Sequence, residues 1–120
     1  MVHYSAADEI DLATLTHMVG NDLTILRELV ETFLDDTPQL LTAMDNSLRA
    51  ENATDLMRHA HTLKSSSRLF QMEQFAHQCQ TLEEAAAHQN WVRVIPLFQQ
   101  LQQDYQAIAT VLTTKLTQLP

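Results

Sequence analysis

Apolar residues recur along this chain at three- and four-residue intervals, almost without interruption. Leu23, Leu26, Leu29, Val30, Phe33 and Leu34 form one such stripe, and Leu40, Leu41, Met44 and Leu48 continue it beyond Pro38. This is the period of an amphipathic helix. Proline in a helix interior removes a hydrogen bond and costs about 3 kcal/mol. Two helices meeting near Thr37, with Pro38 in the first turn of the second, is therefore the preferred reading. A single helix over 22–50, kinked at Thr37, is the alternative. A joint at Glu51-Asn52-Ala53-Thr54 leads to a helix over about 54–69. Another spans about 72–88, with Met72, Phe75, Ala76, Cys79, Leu82 and Ala86 facing inward. Asn90 can cap a last helix over about 91–117, striped by Val94, Ile95, Phe98, Leu101, Tyr105, Ile108, Val111 and Leu112. Ahead of these, residues 1–7 read as a loose lead-in. Asp8 can cap a short helix to about Met18, with Ile10, Leu12, Leu15 and Val19 inward. Gly20 fits the left-handed position that ends a helix, and Asn21-Asp22 caps the next.

Short polar joints force consecutive helices antiparallel. The expected fold is all-α: an up-and-down antiparallel four-helix bundle with an additional short N-terminal helix across one end. One domain over residues 1–120 suits the length. Composition agrees, because one glycine and three prolines are too few for the turns of a β-rich fold. The 45% hydrophobic content is enough for a packed core.

A net charge of −8 argues against a generic nucleic-acid or anionic-membrane binder. No apolar run reaches membrane-spanning length, and the N-terminus lacks a signal pattern. Cys79, the sole cysteine, reads as a small buried hydrophobe, and a cytoplasmic location is expected. The six histidines contain no i,i+4 pair, and Glu73 and His77 lie on the outer side of their helix, so no metal site is expected.

The chemistry concentrates in His61-Thr62-Leu63-Lys64-Ser65-Ser66-Ser67-Arg68-Leu69-Phe70-Gln71. Leu56, Ala60, Leu63, Ser67 and Phe70 fall within roughly 80° of helical arc, whereas His61 projects about 140° from Leu56, beside Met57, Lys64 and Arg68. Arg58, Lys64 and Arg68 make this helix locally basic in an acidic chain. A neutral imidazole nitrogen is a nucleophile. If its target is a phosphoryl group, Lys64 at i+3 reaches the oxygens, and Arg68 at i+7 does so with some bending. Phosphoryl transfer asks mainly for positioning and charge neutralisation. Holding the ring needs an acceptor for its other nitrogen, and Glu83 is the candidate, since the following helix returns alongside His61 near 81–83. Met57, Ser65 and Leu69 are candidates for a docking surface around the histidine. His59 faces the core side.

The segment AHTLKSSSRLFQ, followed by CQTLE, resembles the signature of histidine-containing phosphotransfer (HPt) domains of multistep phosphorelays. Upstream, GNDLTILRELVETFLDDTPQLLTAMDNSL is similar to the family's leading region, with Phe33, Asp36 and Leu40 in familiar relative places. The resemblance implies that His61 is the phosphoacceptor and that Lys64 neutralises the phosphoryl group. It implies that Ser65 is the small residue that admits a partner, and that Glu83 takes the family's glutamine or glutamate position oriented toward the histidine. It implies response-regulator receiver domains as partners, including those of hybrid histidine kinases. These would supply the aspartyl phosphate and the magnesium ion, with no cofactor in this chain. A monomer without kinase machinery is expected, not an enzyme in its own right. Gln71 departs from the pattern, standing where the family usually has glycine. A helical adaptor that docks without phosphotransfer is the alternative function.

Overall fold

The apolar stripes become five α-helices. The computed structural model describes residues 6–119. After a 3₁₀ turn at Ala6–Glu9 come α1 (Leu12–Met18), α2 (Leu23–Arg49), α3 (Ala53–Leu69), α4 (Glu73–Ala87) and α5 (Trp91–Thr117), and no strand occurs among the described residues. Helices α2 to α5 form the antiparallel bundle: α3 packs most extensively on α4, α2 on α3 and α5, and α4 on α5. The short α1 lies against α2, and the 3₁₀ turn against α5 and α4.

Pro38 does not divide α2. The buried positions Leu26, Val30, Phe33, Thr37, Leu41 and Met44 keep one helical phase through it, so a break would expose one half of the stripe. The missing N–H orphans the Leu34 carbonyl, one turn back. Tyr105 on α5 donates its hydroxyl to that oxygen at 3.5 Å. Burial and the nearby Asp35 charge push the phenol upward, so it stays a donor. The expectation of two helices meeting at Pro38 is thus corrected by a donor 71 residues away.

The N-terminal region also departs from expectation. Asp11, not Asp8, caps α1, accepting from the Ala13 and Thr14 backbone N–H groups at 3.1 and 3.4 Å. Residues 1–5 of the expected loose lead-in lie outside the described residues, but Ala7 is buried. In α5, Ile95 is 46% exposed: the stripe runs through Val94, Phe98 and Leu101, and Ile95 lies about 100° around from Val94. Leu12, Val19 and Val111 are half-buried at the edge of the core.

The joints share one construction. After α1, α2, α3 and α4 a residue with positive φ follows the C-cap: Gly20 (65°), Glu51 (50°), Gln71 (58°) and Gln89 (54°). In each, two N–H groups turn back onto the preceding helix. After α3, Gln71 donates to the Arg68 carbonyl at 2.9 Å and Met72 to Ser67 at 3.0 Å. This is the Schellman arrangement that satisfies the last carbonyls. Asn52 and Asn90 then cap the following helices with their side chains. Met72 cannot, and Glu9 of the 3₁₀ turn does so in its place, its carboxylate accepting from the Gln74 N–H at 2.9 Å. The aromatic rings of Phe33 and Phe70, 5.0 Å apart between centroids, fix the end of α3 against α2.

Two stability changes follow. Gln71→Gly relieves a left-handed side-chain conformation and is expected to raise unfolding stability by about 1 kcal/mol in denaturant titrations. Glu9→Ala removes the cap of α4 and is expected to lower it by about 1 kcal/mol. No change in either variant would contradict these local assignments.

Candidate functional site

Helix α3 starts from a reciprocal cap: Asn52 accepts from the Asp55 N–H at 3.1 Å and donates its amide to the Asp55 carboxylate at 2.9 Å. One face is fully buried through Leu56, Ala60, Leu63 and Ser67. The facing residues of α4 include Phe75, Ala76, Cys79 and Leu82, also fully buried. Small side chains on both helices let their backbones approach closely. Ser67 is buried without a polar penalty, because its hydroxyl donates to the Leu63 carbonyl at 2.7 Å. Ser65 and Ser66 bond in the same way to His61 and Thr62. The serine run is therefore satisfied within the helix and adds little bulk around the histidine.

The short α3–α4 joint brings Glu83 opposite the His61 turn. Its carboxylate meets two groups at once: Oε2 lies 3.4 Å from His61 Nδ1, and Oε1 accepts from Lys64 Nζ at 2.9 Å. The His61 side chain is 60% exposed, whereas those of Lys64 and Glu83 are only 13% and 22% exposed. The ring thus stands in solvent while its two charged neighbours are tucked into the helix seam. Cys79 lies one turn before Glu83 on α4. Burial pushes its thiol up to about 12, with the Lys64 charge opposing that rise. It is a packing residue rather than a nucleophile.

Of the residues singled out from sequence, His61, Lys64 and Glu83 therefore come together. Arg68 does not join them: its Nε lies 3.9 Å from Glu73 Oε2, across the start of α4. Ser65 is exposed one turn after His61, Met57 is half-buried one turn before it, and Leu69 is 53% exposed. His59 is half-buried.

Sequence reading missed a groove of roughly 440 Å³ beside this face. Its walls are Thr62, Ser66 and Leu69 from α3 and Phe33, Asp36 and Leu40 from α2. The α2 wall follows from helical phase only once the α2–α3 pairing is known. Among the described residues no group of three or more His, Cys, Asp or Glu could hold a metal ion, and no helix is long and apolar enough to cross a membrane.

Comparison with known proteins fits this arrangement. No curated protein matches the chain. Among solved structures, the histidine-containing phosphotransfer protein B (HptB) of Pseudomonas aeruginosa PAO1 superposes with a TM-score of 0.84 at 21% identity, covering 93% of this chain and 97% of that one. The HPT domain of an Hpt sensor hybrid histidine kinase from Shewanella gives 0.77 at 16% identity, covering 94% and 97%. At such identities the likeness is one of fold. The family model for the Hpt domain matches residues 28–111, which contain α3, α4, the exposed histidine and most of the bundle. The chain belongs to the Hpt domain family and has its phosphotransfer role in phosphorelays.

Proposed function

We propose that His61 accepts a phosphoryl group from the aspartyl phosphate of one receiver domain and passes it to the aspartate of another. The observation that carries this reading is the Glu83 carboxylate set against both His61 Nδ1 and Lys64 Nζ. With the Nδ1 proton directed at Glu83, the Nε2 lone pair is left for the exposed edge of the ring. In the transfer Nε2 attacks phosphorus. The N–P bond forms as the bond from phosphorus to the aspartyl oxygen breaks, and the donor recovers a free carboxylate. The ring gains positive charge as this happens, and Glu83 faces the nitrogen that carries the proton. A second receiver reverses the sequence, its carboxylate taking the phosphorus.

Lys64 serves the phosphoryl oxygens, and Arg68, held only loosely by Glu73, is available to the outer ones. The receiver contributes the magnesium ion. On this reading the domain needs no kinase machinery, spans the chain, acts as a monomer and works in the cytoplasm. Met57, Ser65 and Leu69 border the approach to the ring, where a receiver must dock within bonding distance.

Incubation with a phosphorylated receiver is expected to leave an acid-labile, base-stable label on the wild-type protein and none on His61→Gln, with receiver binding retained in both. A docking adaptor without phosphotransfer would leave neither protein labelled. Met57→Asp is expected to weaken receiver binding by about tenfold in a protein that is still folded at the temperature of the assay. Unchanged affinity would remove Met57 from the interface.

A further inference from the structure

Lys64 already has an anionic partner before any phosphoryl group arrives. Its ammonium is held by Glu83 at 2.9 Å, its side chain is 13% exposed, and the same carboxylate's other oxygen faces the ring. We infer that Glu83 is a positioning residue that competes with the phosphoryl group for Lys64, and so limits how firmly the phosphorylated state of His61 is held. The inference rests on the phosphoacceptor reading of His61 and adds a role for Glu83 beyond orienting the ring.

Charge count sets the competition. A phosphoryl group on Nε2 places up to two negative charges near the Lys64 ammonium, with Arg68 able to reach only the outer oxygens. That ammonium already has an anionic partner in a partly buried seam, where charge pairs are screened less than at the surface. No other cation is paired with Glu83 among the described residues, since Arg68 pairs with Glu73 and Arg58 with Asp55. Lys64 must therefore divide its charge between Glu83 and the phosphoryl oxygens. A relay intermediate has to release what it accepts, and a lysine wholly given to the phosphoryl group would favour retention over release. Glutamine at position 83 changes this balance. Its single amide oxygen can still accept from Nδ1–H, but the amide nitrogen then faces the ammonium and cannot hold it.

The test is a 31P NMR measurement, in mildly alkaline solution, of phosphoryl exchange between phosphoimidazole and the protein, so that no receiver is required. The nitrogen–phosphorus bond of the reagent breaks, imidazole leaves, and the bond to His61 forms. The readout is the equilibrium constant of this exchange in wild type, Glu83→Gln, Lys64→Ala and the double variant. A lysine given wholly to the phosphoryl oxygens raises it. Glu83→Gln is expected to raise it about threefold more when Lys64 is present than in the Lys64→Ala background. An equal change in both backgrounds would mean that Glu83 acts only through its own field, and no change would mean that it does not reach the phosphoryl group. Either result overturns the competition while leaving His61 as acceptor. Absence of a phosphohistidine signal in wild type, with the protein folded, overturns both.

Discussion

The close antiparallel seam between α3 and α4 is the constraint on which the rest depends. Ala60 and Ser67 on one side and Ala76 and Cys79 on the other are fully buried and small, so the two helices can approach without large side chains between them. A wider seam would leave Glu83 out of reach of His61 and Lys64. The short joint through Phe70, Gln71 and Met72 sets the register of that approach. The three polar groups of the site thus inherit their geometry from packing and chain connectivity, and their mutual attraction is added to an arrangement already fixed.

The cost of building the seam is met locally. Ser67 and its two neighbours direct their hydroxyls to carbonyls of their own helix, so no buried oxygen is stranded there. The joint requires a left-handed residue and places glutamine in it, with the Gln71 side-chain amide extending to Met18 Sδ at 3.2 Å. Glu9 closes the start of α4 from the opposite end of the sequence. Tyr105 does the equivalent for the proline in α2. The ends and interruptions of the bundle helices are therefore closed by residues far away in the sequence.

These differences separate what was legible in the residues from what was not. His61 and Lys64 share a helix, and the 3.6-residue period assigns them a face directly. Glu83 was within reach of inference because a two-helix hairpin with a three-residue joint leaves little freedom of register. The capping of α1 moved from Asp8 to Asp11 because several acidic residues in that stretch could serve, and local pattern does not choose between them. Continuity of α2 through Pro38 was hidden for another reason: the compensating donor is 71 residues away. Glu9 on Gln74 belongs to the same class, at a separation of 65. The helical period puts Arg68 on the side of α3 that carries His61, yet a flexible side chain chooses its partner in three dimensions, and Arg68 turns to Glu73. The left-handed backbone at Gln71 could be foreseen only through the family's glycine at that place.

The proposed transfer to His61 requires a ring whose proton sits on Nδ1, the nitrogen that lies 3.4 Å from Glu83 Oε2. Long-range 1H–15N NMR of the neutral imidazole in the unphosphorylated protein reads this directly. The seam geometry predicts the tautomer protonated at Nδ1, with an unprotonated Nε2 facing solvent. A ring found mainly in the Nε2–H form would contradict it, because the outward nitrogen would then lack the lone pair that the transfer requires.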